Sequence, residues 1–176
     1  MNPSFSAHRV VFLVLAIVLT LLFTAGFSLE VNAVDYGKGN GALEVFDGEG
    51  MSASPAWVRA WVGFMLLMFA IGLFVFAWKR PLARWVAGGF IVSAAAGAPL
   101  FGALGLPFLS GSIAIMHLVC WMPGLVLLLT QRPFSNPEEG RWFRIWTGLM
   151  TGTILFSFIF DIRDAYIYLS HMAGAS

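Results

Sequence analysis

Charge is what this 176-residue sequence has least of: 11% of its residues are Asp, Glu, Lys or Arg, against about 25% in soluble domains. Most of the chain therefore has too few charged groups to carry a solvated surface. Its single cysteine, Cys120, excludes an intramolecular disulfide and any two-cysteine redox or metal motif. The apolar neighbours of that thiol argue against a reactive thiolate. No basic run and no alternation of aromatic with basic residues is present, which excludes nucleic acid as a partner. The glycines do not form a phosphate-binding pattern between a strand and a helix. Histidine–glutamate metal motifs and Gly-x-Ser-x-Gly are also missing, and Asp161 and Asp164 lie on one segment rather than on separate helices. No catalytic residue and no metal site is expected, and a membrane-embedded enzyme ranks third among the functions considered.

What is abundant is hydrocarbon. Apolar residues make up 59% of the sequence and the mean hydropathy is +0.84, more than one soluble core of this length can hide. Crossing a bilayer takes roughly 20 helical residues. Runs of that length fall at about 10–29, 57–78, 85–106, 112–130 and 143–169. The expected fold is thus an all-α, polytopic transmembrane bundle of about five spans, forming one integral membrane domain over 1–176. The first run ends in Thr24-Ala25-Gly26, which also fits a signal-peptide cleavage site; it is read here as a retained span.

Between the first two runs, at about 30–55, lies a Gly-rich acidic loop with Glu30, Asp35, Glu44, Asp47 and Glu49 against Lys38. Asp47-Gly48-Glu49-Gly50 lacks the ligand spacing of a calcium loop and reads as a turn. Val45 and Phe46 suggest a short hairpin or an interfacial dip. Basic residues divide unevenly: Arg9, Lys79, Arg80, Arg84, Arg132, Arg141 and Arg144 gather on one side of the expected bundle, Lys38 and Arg59 on the other. By the positive-inside rule this puts the N-terminus in the cytoplasm and the acidic loop and C-terminus outside, in a bacterial-type inner membrane. Trp57, Trp61, Trp78, Trp85, Trp142 and Trp146 all fall near span ends, where indoles favour the headgroup level.

Small residues recur along the third span at Gly88, Gly89, Ser93, Ala94, Gly97, Ala98, Gly102 and Gly105. Helices in lipid associate through close packing, so Gly89, Ser93, Gly97 and Gly102 are expected to place this span at the bundle centre or at a seam between subunits. Pro99 and Pro123 fall inside the third and fourth spans, where each removes a backbone hydrogen bond.

Ionisable groups within a span are default functional candidates, because hydrocarbon penalises them. They are His117 in the fourth span and Asp161, Arg163 and Asp164 in the fifth. At 1.5 Å per residue His117 lies about 8 Å from the outer end of its span, and Asp161 about 27 Å from the inner start of its own. Antiparallel helices bring these to one height. Along the fifth span Thr147, Met150, Ile154, Ser157, Asp161, Asp164, Tyr168 and His171 follow steps of three and four, a single face that grows polar outward. His117, Asp161, Asp164, Ser157 and Tyr168 form the expected polar cluster, with Arg163 on another face. The bland reading of Asp161 and Asp164 is a helix end already among headgroups.

For His117 the alternatives are a hydrogen bond to a neighbouring helix, a partnership with an aspartate, or ligation of a haem or chlorophyll-type pigment. The string Ala114-Ile115-Met116-His117-Leu118-Val119-Cys120-Trp121 resembles the histidine neighbourhood of antenna polypeptides, with a small residue upstream and a tryptophan downstream. That resemblance rests on one histidine and one tryptophan. Paired histidines of a b-type cytochrome are missing, since His8 and His171 stand at other depths.

The first functional expectation is passage of an ion, proton or small solute within a homo-oligomer. The second is an accessory or assembly subunit of an energy-converting complex, contacting other membrane subunits. Lipid is a partner in either case.

Overall fold

The computed structural model describes residues 36–174. The expected first span at 10–29, and the loop residues before Tyr36, lie outside them. A short helix α1 (Gly48–Ala53) precedes α2 (Ala56–Ile71), α3 (Pro81–Ala103), α4 (Ser110–Gln131) and α5 (Arg141–Met172). The last four helices are long and apolar enough to cross a membrane, so the chain is an all-α, multi-pass membrane protein.

Proline and glycine mark the helix ends. Pro55 precedes α2 and Pro81 opens α3, positions where a missing N–H costs nothing. Helix α4 stops where Arg132 turns left-handed (φ 47°) ahead of Pro133, which cannot continue a helix. After Ile71, α2 widens into a π turn over Gly72–Phe76, closed by Ala77 N–H donating to the Gly72 carbonyl at 2.8 Å. Pro99 and Pro123 are absorbed within α3 and α4 without ending either.

Length sets where the polar groups emerge. Span α3 has 23 residues, about 35 Å at 1.5 Å per residue, which matches a hydrocarbon core of about 30 Å. Helix α5 has 32 residues, about 48 Å by the same rise, and so runs beyond the core. Asp161 lies about 30 Å along it, near the edge of the hydrocarbon.

Helix α4 packs between α3 and α5, and α5 is the most enclosed, with 44% of its apolar window buried against 28% for α2 and for α3. Among the described residues the small-residue span α3 therefore lies at an edge, not at the centre. Its ladder still serves close approach: a Cβ on Gly89 would strike the Cys120 carbonyl of α4, and one on Gly97 would meet Phe108 at 2.8 Å. Ser93 accepts from Trp121 Nε1 at 3.0 Å. Gly102, expected on the same ladder, faces open space.

Two apolar clusters hold the bundle. One, through its middle, joins Met68 and Phe69 of α2, Val86 of α3, Trp121 and Leu128 of α4, and Met150 and Ile154 of α5. The other joins Phe101, Leu109, Met116 and Tyr168, with Tyr36, Leu43 and Val45 of the acidic loop against it. Trp146, expected at headgroup level, is 3% exposed and donates to the Met68 carbonyl at 2.9 Å. Gly72 leaves room for that indole, since a Cβ there would meet it at 2.5 Å. Trp57, Trp85 and Trp142 are exposed, as interfacial indoles are.

Candidate functional site

The described part of the acidic loop is a cap on the bundle. Carbonyls of Glu44 and Ala42 accept from the Ser110 and Gly111 N–H groups at 2.9 and 2.8 Å, satisfying donors that the first turn of α4 cannot pair internally. Gly111 makes this approach feasible, because a Cβ there would lie 2.5 Å from Tyr168 Cβ and 2.9 Å from the Ala42 carbonyl oxygen. In place of a hairpin, Val45 forms a lone parallel bridge with Lys38.

Asp47 Oδ1 caps α1, accepting from the Glu49 and Gly50 N–H groups at 2.9 Å each, while Oδ2 takes the Lys38 ammonium at 3.0 Å. The hydrogen bond from Gly50, with that from Lys38, holds the Asp47 carboxyl below its ordinary range. Glu49 and Asp47 raise the Lys38 ammonium above its own. Both Asp47 oxygens are thus engaged by protein, and no metal-binding group of three or more His, Cys, Asp or Glu occurs among the described residues.

Toward the end opposite this cap Trp146 of α5 packs where Gly72 carries no side chain, while beneath the cap α2, α4 and α5 surround a cavity of about 260 Å³. Its walls include Trp57, Val58, Trp61, Val62 and Met65 of α2, Ile113, Ala114 and His117 of α4, and Ser157, Phe160, Asp161, Arg163 and Asp164 of α5. Asn40 and Phe46 of the loop, and Ser110, complete the lining.

His117 Nδ1 lies 3.3 Å from Asp161 Oδ1, with side-chain exposures of 18% and 13%. The imidazole stacks on Trp121 one turn along α4, with centroids 3.8 Å apart, and that indole is fixed in turn by Ser93. One ring face and one ring nitrogen of His117 are thereby held. The carboxylates are less well served. Asp161 Oδ2 and Asp164 Oδ1 are both buried without a hydrogen-bond partner; Arg163 reaches Asp164 Oδ1 at 3.6 Å, an ion-pair distance too long for a hydrogen bond. Each unsatisfied buried acceptor costs about 1–3 kcal/mol.

The structure therefore brings His117, Asp161, Asp164 and Ser157 to one cavity. Ser157 Oγ meets Met65 Sδ at 3.7 Å across its inner end. Tyr168 is elsewhere: it is 1% exposed and its hydroxyl donates to the Pro107 carbonyl at 2.9 Å, anchoring the α3–α4 turn. Arg163, expected on a separate face, stands on the rim beside Asp164. Trp57, Trp61 and Phe160 are cavity residues that the sequence reading assigned to the bilayer or passed over. Their spacing was the available signal, since Trp57 and Trp61 share a face of α2 and Phe160 adjoins Asp161.

Inward of Ser157 the α5 face closes. Ile154, Met150 and Thr147 are each 0% exposed, so this face is packed against its neighbours from Ser157 toward the basic end. No family model, curated protein or solved structure matches the chain, and the functional reading rests on the cavity.

Proposed function

We propose that this protein binds a small solute, together with or in place of a proton, in the cavity between α2, α4 and α5, as a step in moving it across a membrane. The observation that carries the reading is the His117–Asp161 pair at 3.3 Å beside buried carboxylate oxygens that lack a donor. Such groups persist in a membrane protein where they face a ligand, a water or a proton. The closed α5 face inward of Ser157 favours an oligomer, in which a path runs along seams between copies or opens by helix movement. Lys and Arg bias orients the basic end to the cytoplasm of a bacterial-type inner membrane, with the N-terminus inside and the cavity and C-terminus outside.

Reconstituted liposomes test this reading. Wild type should dissipate an imposed pH gradient or take up solute, while Asp161→Asn and His117→Ala should each reduce that flux at least ten-fold. Flux that is unchanged in both variants, with assembly intact, would refute it. Single cysteines at positions 52 and 135 in a Cys120→Ser background test the orientation: an impermeant reagent should label the first in intact cells and spare the second.

One feature favours the second reading, an accessory subunit of an energy-converting complex. Asp161 engages Nδ1, the arrangement that fixes the tautomer of a ligating histidine and presents Nε2 to a haem or pigment. Visible absorbance in the gently purified protein, lost in His117→Ala, would move the assignment there.

A further inference from the structure

Taking the cavity as a binding site, as proposed above, we infer its ligand class: a small protonated amine, with N–H groups directed at Asp161 and Asp164 and an apolar body against Trp57, Trp61 and Phe160.

Four observations converge on this chemistry. First, the acceptors outnumber the donors. Asp161 Oδ2 and Asp164 Oδ1 have no hydrogen-bond partner, and the Arg163 guanidinium, the cation paired with this cluster among the described residues, is 73% exposed and reaches Asp164 at 3.6 Å. The two side chains are 13% and 18% exposed, so a guest that donates can pair with their accessible edges and, on rotation of a carboxylate, with the oxygen now closed off, whereas an anion or a hydrocarbon leaves them stranded. Second, the donor set does not suit a metal ion, because no group of three or more His, Cys, Asp or Glu is arranged to hold one among the described residues. A cation held here has to meet fewer carboxylates and more hydrocarbon.

Third, the walls are aromatic. Trp57 and Phe160 lie with ring centroids 6.3 Å apart, and Trp61 packs edge-on to Phe156 at 4.5 Å. Aromatic faces attract organic cations through the ring quadrupole, tryptophan most strongly, and accept an alkyl or aryl body as well. Fourth, the volume of about 260 Å³ lies just below the range of about 300–1,000 Å³ typical of ligand sites, which restricts the guest to a compact molecule. A quaternary ammonium carries the charge but no N–H, so it matches the walls and not the carboxylates.

Titrating the purified full chain in detergent, by calorimetry or tryptophan fluorescence, tests this directly. Phenethylammonium should bind at least ten-fold more tightly than 2-phenylethanol, its neutral counterpart, with tetraethylammonium between them. Asp161→Asn should weaken phenethylammonium at least ten-fold and leave 2-phenylethanol within two-fold, and Trp61→Leu should weaken both. Equal affinity of wild type for the amine and the alcohol overturns the inference without recourse to any variant. So does Asp161→Asn that retains amine affinity within two-fold; should that variant not fold, Asp164→Asn takes its place under the same criterion. Asp161-dependent proton flux in liposomes with no amine binding refutes the ligand class and leaves the broader transport reading standing. Amine binding without flux upholds the ligand class and removes transport.

Discussion

The two ends of this bundle use polar side chains in opposite ways. At the basic end, Arg84 donates to the Ala77 and Trp78 carbonyls at 2.7 and 3.2 Å, Arg132 to the Leu129 carbonyl at 3.2 Å, and Arg80 to Glu139 at 2.8 Å while lying over Phe143. Those cations close helix ends and fix a turn, with Arg144 Nε an exception left without a partner. At the acidic end the loop is equally well satisfied, yet the side chains below it are not. His117 and Asp161 have each other, and two carboxylate oxygens have no donor. Unpartnered buried atoms thus occur at both ends, but only at the acidic end do they belong to carboxylates that line a cavity, and that contrast is what the proposed binding site rests on.

Packing gives the sharpest way to break that contrast. Gly111→Val should lower stability by about 3 kcal/mol or more, because the new side chain would drive α4 from α5 and from the loop. Gly102→Ala, at a helix position with open space around it, should be neutral or gain up to about 1 kcal/mol. Thermal unfolding in detergent reads both, and equal tolerance would remove the loop cap from the account.

The ion pairs come next. A double-mutant cycle on His117→Ala and Asp161→Asn should show coupling of about 0.5–3 kcal/mol, as expected of contacting partly buried groups. The same cycle on Arg80→Ala and Glu139→Gln, a pair with side chains 40% and 23% exposed, should give about 0.2–1 kcal/mol. Reversal of that order would make the basic end the special one.

Tyr168→Phe should cost about 1 kcal/mol, the net worth of its bond to the Pro107 carbonyl, and leave ligand affinity unchanged. A fall in affinity would return Tyr168 to the cavity.

The smallest effect concerns pH. Asp47 is held below its ordinary range, so its contribution is complete above about pH 4 and is lost as pH falls through the folded-state value. Lys38 is held above its own, so its contribution persists to about pH 10 and is lost only beyond that. Hydrogen exchange at the Val45 and Gly50 amides should therefore be protected evenly between these limits and accelerate in acid. The pair is exposed and screened by water, so the change should be the smallest of those considered. A midpoint near pH 6 would point instead to a histidine.

Some of this was decided by sequence alone. Span number and placement among the described residues follow from apolar run length, because a bilayer demands a fixed helix length and Pro55, Pro81 and Pro133 punctuate it. The shared height of His117 and Asp161 follows from a constant rise per residue in antiparallel helices, and the inward face of α5 from steps of three and four. What the sequence did not decide was rotation and lateral distance. Trp146 and Trp57 both sit near span ends, yet one is buried on Met68 and the other lines the cavity, because helix azimuth depends on which neighbour a face meets. Tyr168 shares the polar face of α5 but meets Pro107, since the α3–α4 turn folds over it. Arg163 reaches the rim because a long flexible side chain is not confined to the face of its Cα. The cavity itself belongs to the tertiary structure alone, because its walls, from Asn40 of the loop to Asp164 of α5, meet only when the helices and the loop pack together.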